Sequence, residues 1–219
     1  MKEIIRLCFV LTLITAVSAG VLAYVNEKTA EPIAKALLEE KMSAVRSVLP
    51  PYDNEPDKDM ITIGLADGDS LEIFRGQKDG VVTGAAFAIT SPDGYSGDIE
   101  FMIGVDGEGV MQGLMVLNHL ETPGLGAKIQ SEDFRGQYKG KSLDNPELWE
   151  VTKDGGTFIP ITGATISSRA ITRAAAEGLR LFREHRAEIF REVADTGSAE
   201  VEGDSVTVEE DEAEGEVQE

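Results

Sequence analysis

The chain has 219 residues, 42% of them hydrophobic, which is room for one domain of ordinary size plus extensions at its ends. Acidic residues outnumber Lys and Arg by 40 to 20, giving a formal net charge of −20, which excludes a general grip on nucleic-acid phosphates. A single cysteine, Cys8, and two histidines, His119 and His185, exclude an internal disulfide and a multi-histidine metal centre. Ile4 to Val25 is apolar except for Arg6. As a helix this stretch is about 33 Å long, against a hydrocarbon core of about 30 Å. Lys2 and Arg6 at its front favour a cytoplasmic N-terminus and place the rest of the chain across the membrane. A cleaved signal peptide is the rival reading, because Val17-Ser18-Ala19 before Gly20 has the small residues of a cleavage site. The apolar run continues through Val25, however, longer than a usual signal core, and favours an uncleaved anchor.

Residues 26–48 read as a linking helix, with Ile33, Ala36, Leu37, Leu38, Val45 and Val48 at helical spacing and Pro32 near its start. Leu49-Pro50-Pro51 ends it, and 51–60 is polar and turn-like. Strands are expected at 71–74, 81–89 and 99–105. Asp106-Gly107-Glu108-Gly109 then turns the chain into a strand at 110–117. Asp67-Gly68-Asp69 lacks the rest of a calcium loop and reads as a turn. Helical periodicity resumes over 166–193, with Ile171, Ala174, Ala175, Leu181, Phe182, Ile189 and Phe190 as the expected buried stripe. From Glu192 onward there are twelve acids, no Lys or Arg and no aromatic, a composition that reads as disordered. The expected organisation is thus a start and transmembrane anchor (1–25), a linking helix (26–50), a domain (51–193) and an acidic tail (194–219). The fold class is α+β: an antiparallel sheet with packed helices, carried on a single N-terminal transmembrane helix.

Two segments are the candidates for carrying chemistry. Thr162-Gly163-Ala164-Thr165-Ile166-Ser167-Ser168 joins an extended piece, Phe158–Ile161, to the last helix. Gly163 and Ala164 let a ligand approach the backbone, and free N–H groups at a helix start suit a phosphate. Arg169 and Lys128 are candidate positive charges nearby. The alternative is plain helix capping by Ser and Thr, which are favoured there. Glu121-Thr122-Pro123-Gly124-Leu125-Gly126, followed by Ala127 and Lys128, comes after a strand and is rich in residues that shape backbone. It suits the presentation of N–H groups and the apolar Leu125 to a flat ring, or else is a surface loop. Neither segment is a phosphate-binding P-loop. Ser167 and Ser168 lack the context of a hydrolase nucleophile. His119 reads as a hydrogen-bonding residue at a strand end, and Trp149 as a core or rim aromatic with flavin stacking as the other option.

Together the two segments resemble the covalent FMN-binding domain family. Thr162-Gly163-Ala164-Thr165 is similar to its flavinylation motif, and Glu121–Gly126 to its flavin-side loop. Gly94-Tyr95-Ser96-Gly97-Asp98-Ile99 with Ile103–Asp106 is similar to its central hairpin. The order of anchor, helix and domain over about residues 1–190 resembles the G subunits of Rnf-type electron transport complexes. The C subunits of sodium-translocating NADH:quinone reductases are more distant. The resemblance implies FMN esterified through its phosphate to Thr165 by a flavin transferase. It implies a cofactor site formed by Thr162, Gly163, Ala164, Thr165, Ser167, Glu121, Thr122, Gly124, Leu125, Gly126 and Lys128. It also implies iron–sulfur, flavin and membrane subunits as partners, passing electrons between ferredoxin and NAD while Na⁺ or H⁺ moves. Ile159 departs from the family, which commonly has an aspartate there. An FMN-binding regulatory or reductase domain outside such a complex, and an anchored protein without redox function, are the alternatives.

Overall fold

Every second residue of a strand faces the same side of its sheet, and the central strands of this chain are apolar on both sides. In the computed structural model, which describes residues 1–65, 68 and 70–191, that pattern builds a sheet covered on both faces. The strands are β1 (Met60–Gly64), β2 (Ser70–Lys78), β3 (Val81–Ser91), β4 (Ile99–Asp106) and β5 (Met111–His119). They lie side by side in chain order, each antiparallel to the next. The helices are α1 (Lys2–Val48), the single-turn α2 (Glu132–Arg135) and α3 (Thr165–Ile189).

Ile73, Ala85, Phe87, Phe101, Ile103 and Val105 face α3 and pack with Ile171, Ala175, Leu179 and Phe182. Their strand neighbours Phe74, Ala86 and Met102 point the other way and pack with Met42, Val45 and Val48 of α1. The end of the linking helix therefore contributes a core of its own. The approach is close at Gly104, where a Cβ would fall 1.9 Å from the Val48 carbonyl oxygen. Sheet and α3 together hold the 45-residue excursion between β5 and α3, residues 120–164, which is mostly turns. Its own centre is aromatic: Tyr138 stacks on Phe158 with ring centroids 4.7 Å apart, and Trp149 lies 5.0 Å from Phe158.

Several expectations change in detail. The anchor and the linking helix are one continuous helix, with Pro32 in its interior rather than near a start. The loss there is confined to one backbone hydrogen bond on an exposed stretch, so the helix carries on. The sequence pattern gives no strand where β1 lies; it is a five-residue edge with only Ile63 fully buried, too short and too wet to show clear alternation. The α3 stripe runs through Leu179 instead of Leu181, and Ala174 and Phe190 are only partly buried. Residues 158–161 make just one isolated bridge, Val151 with Phe158. The acidic tail from Glu192 and the Asp67–Asp69 turn, apart from Gly68, lie outside the described residues.

Candidate functional site

The long excursion and the β3–β4 connection fold the two motifs into the walls of one cavity of about 440 Å³. From the loop come Glu121, Thr122, Leu125 and Gly126; from the helix start come Gly163, Ala164, Thr165, Ile166 and Ser167; Tyr95 and Lys153 complete the lining. The volume suits a small-molecule or cofactor site.

Glu121 organises the first wall. Its buried carboxylate accepts the amides of Tyr95 and Ser96 at Oε1, at 2.7 and 3.4 Å, and so ties the β3–β4 connection to the loop after β5. Its own amide donates to His119 Nδ1 at 3.1 Å, which gives His119 the hydrogen-bonding role expected of it. The loop then turns tightly: the amides of Leu125 and Ala127 both donate to the Thr122 carbonyl oxygen, at 3.2 and 3.1 Å. A side chain at position 126 would meet Glu121 Oε2 at 2.3 Å, which is why a glycine stands there.

The second wall is the start of α3. Gly163 has φ +85, a left-handed conformation that L side chains rarely adopt. It turns the chain so that Thr165 becomes the first helical residue. The N-cap is Ala164, and no side chain caps the helix, so the Ser/Thr-capping alternative does not describe this terminus. The Ala164 amide closes the turn by donating to Ile161 O at 2.9 Å, and within the helix the Ser168 amide donates back to Ala164 O at 3.1 Å. The amides of Thr165, Ile166 and Ser167 are the helix-start donors, where the dipole favours an anion.

The four hydroxyls separate clearly. Ser168 Oγ accepts the Ile161 amide at 3.0 Å and donates to Ala164 O at 2.9 Å, so it is a structural strut. Thr162 is exposed and does not line the cavity. Ser167 Oγ is fully buried, lines the cavity and has no hydrogen-bond partner among the described residues. Thr165 Oγ1 stands at the wall and accepts a hydrogen bond from Lys153 Nζ at 2.9 Å.

The nearby cations also separate. Arg169 donates to Asp154 through two nitrogens, Nε to Oδ2 at 2.6 Å and Nη2 to Oδ1 at 3.0 Å. The Arg169 hydrogen bond holds the Asp154 carboxyl below the ordinary carboxylate range, and Asp154 in turn raises the guanidinium. Arg169 is thus engaged at the rim, and Lys128 sits exposed on the 3-10 turn Gly126–Gln130, outside the lining. Gly124, with φ +77, shapes the loop without lining the cavity. Lys153, Tyr95 and Ile166 are lining residues absent from the expected site. Tyr95 was legible only as part of the central hairpin. Lys153 gave no signal, being in a charged turn twelve residues before its partner. Trp149 is a core aromatic whose Nε1 donates to Ser142 O at 2.8 Å. It borders a different, larger hollow of about 780 Å³ between β3 and α3, which holds neither motif.

An orphaned buried hydroxyl, three helix-start amides, an ammonium group and a glycine-turned backbone within one cavity fit the phosphate end of a flavin nucleotide. The exposed faces of Leu125 and Tyr95 are apolar surfaces suited to a flat ring.

Residues 94–180 match the FMN-binding domain family, a span that contains every residue lining the cavity. The chain is 38% identical over 186 residues to the G subunit of the ion-translocating oxidoreductase complex of Cereibacter sphaeroides, covering 82% of this chain and 84% of that protein. The corresponding G subunit of Pseudomonas aeruginosa is 37% identical over 199 residues, covering 84% of this chain and 91% of that protein. That of Aliivibrio fischeri is 33% identical over 191 residues, covering 83% and 91%. Among solved structures, the NqrC of Shewanella oneidensis superimposes with a TM-score of 0.47 at 18% identity, over 63% of this chain and 74% of that one. With relatives of this identity matched along most of their own length, the chain belongs to the family of G subunits of Rnf-type ion-translocating oxidoreductase complexes.

Proposed function

We propose that this chain is the membrane-anchored flavoprotein subunit of such a complex, and that it carries electrons on FMN joined through its phosphate to Thr165 Oγ1. The observation that carries the reading is the meeting of two motifs, some forty residues apart in sequence, in one cavity. There the Thr165 hydroxyl is presented beside an unpartnered buried Ser167 hydroxyl. A flavin transferase is the partner in maturation. In that step Thr165 Oγ1 displaces AMP from FAD: the Oγ1–P bond forms, the pyrophosphate P–O bond breaks, and the hydroxyl proton leaves to a base of the transferase.

Bound at this site, an isoalloxazine supplies both one- and two-electron redox chemistry, which lets it join carriers of either kind. The residues of the chain do the rest. Glu121 fixes the loop that presents Leu125, Gly163 aims the helix start, and Ser167 Oγ offers a donor to a phosphate oxygen. A covalent link keeps the cofactor from being lost on the far side of the membrane. The electrons pass to and from other subunits of the complex, iron–sulfur and flavin proteins working between ferredoxin and NAD, and Na⁺ or H⁺ movement is coupled to that flow. The apolar segment of α1 is the anchor, with Lys2 and Arg6 on the cytoplasmic side and the FMN domain outside.

The test is mass spectrometry of the full-length chain expressed with an active flavin transferase. The wild-type peptide containing Thr165 gains the mass of FMN less one water, and folded Thr165→Ala protein gains nothing. Retention of the added mass in that variant overturns the assignment, and the fragment ions then name the hydroxyl that holds it. Thr162, Ser167 and Ser168 are the competitors, and Ala at any one of them leaves attachment at Thr165 in place.

A further inference from the structure

Among the described residues, the charged group hydrogen-bonded to Thr165 Oγ1 is a cation. Lys153 Nζ lies 2.9 Å away and donates to it. Among the described residues lining the cavity, Lys153 is the sole cation. The other charged lining residue, Glu121, already accepts two backbone amides. The neighbouring arginines are engaged elsewhere: Arg169 with Asp154, and Arg173 with Glu150 at 3.0 Å.

The position of Lys153 is built rather than incidental. It occupies the middle of the 3-10 turn Thr152–Asp154, which Gly155 closes with φ +92. The Thr152 amide donates to Phe158 O at 2.8 Å and fixes the turn to the strand-like segment leading into the motif. Asp154, the next residue, clamps the turn to α3 through Arg169, one turn beyond Thr165. A long, flexible lysine is thereby rooted on a backbone held to the same helix that carries its partner.

We propose that Lys153 is a binding residue for the phosphate of the flavin nucleotide and promotes its attachment to Thr165, with Asp154 and Arg169 as the positioning pair that holds it there. The inference rests on Thr165 being the attachment residue. An ammonium donating to the threonine oxygen favours its ionised, nucleophilic form. The same charge offsets the negative charge that grows on the phosphoryl oxygens as the Oγ1–P bond forms. Once the diester exists, its single negative charge is matched by the single ammonium, through a charge-assisted hydrogen bond to a non-bridging oxygen. No proton need leave the lysine, so the atom and charge balance is that of the transfer from FAD already described.

The experiment is a time course of flavin attachment to full-length apo chain in detergent, using purified flavin transferase and FAD. Attachment is read as added mass on the Thr165 peptide. Lys153→Met keeps the apolar stem and removes the charge. It lowers kcat for attachment by about tenfold or more, leaving KM for the apo chain within about twofold, because the interaction lost is one strengthened in the transition state. Lys153→Arg restores most of the rate and Lys153→Glu is slower than Met. Asp154→Asn gives a smaller loss of the same kind. Wild-type kinetics in Lys153→Met overturn the proposal. A loss lying wholly in KM also overturns it, since that makes Lys153 a contact for the transferase. Absence of the adduct from wild type, or its persistence in Thr165→Ala, instead strikes the attachment reading itself.

Discussion

Glu121 shows how a single side chain converts two separate loops into one wall. It is 4% exposed, carries a charge, and meets that cost by accepting amides from Tyr95 and Ser96. Glu121→Ala leaves those amides without their acceptor, at a cost of about 1–3 kcal/mol. Hydrogen exchange checks this: the amides of Tyr95 and Ser96 lose protection while those of β4 keep theirs. Unchanged protection at Tyr95 would mean that the carboxylate is a bystander. At this scale the sequence was informative wherever chemistry needs an unusual residue. The glycine of Gly163 and the hydroxyl of Thr165 stand out because few alternatives can turn the backbone or form an ester. Lys153 was invisible because nothing local distinguishes it, and Tyr95 showed only as a member of the central hairpin, not as a lining residue. Their place at the cavity comes from the Asp154–Arg169 pair and the Glu121 carboxylate, both contacts between distant parts of the chain. Lys128 shows the mirror case: although near the loop in sequence, it lies outside the lining of the cavity.

Among the elements, α3 is the one that joins core to site. Its buried face packs on the sheet while its first turn supplies Thr165 and Ser167, so the helix start is carried by the core beneath it. The Asp154–Arg169 pair adds a clamp at that start whose effect depends on pH. Because Asp154 has its carboxyl depressed in the fold, chiefly by the Arg169 hydrogen bond, its contribution is present above the unfolded value of about 4 and fades as pH falls through the lower folded value. Wild type therefore melts above Asp154→Asn at neutral pH, and the gap closes on acidification below that range. Melting curves of the two proteins across pH 7 to 3 measure it; a gap independent of pH would mean that the pair is no clamp. The strands and α3 were legible through period 2 and period 3.6. β1 was not, because an edge strand buries too little to enforce alternation. Neither was the continuity of α1, since a proline on an exposed helix breaks one hydrogen bond without stopping the helix.

In the described residues a long helix leads into a small domain. α1 runs unbroken from its exposed apolar stretch to Val48, whose side chain and backbone press on the sheet at Gly104 and Gly113. The helix thus couples the domain to the proposed anchor without a flexible linker among the described residues. If the basic residues at its front set its orientation, protease added to intact spheroplasts digests the domain; protection until lysis would reverse the proposed orientation. The covalent bond between flavin and Thr165, on which the proposed function turns, has a direct measurement. Full-length protein made with an active flavin transferase is denatured, washed free of all dissociable cofactor, and its visible absorption recorded. The predicted result is a flavin spectrum that stays with the wild-type polypeptide and is absent from Thr165→Ala; a colourless wild-type chain after washing, or an equally yellow Thr165→Ala chain, would contradict it.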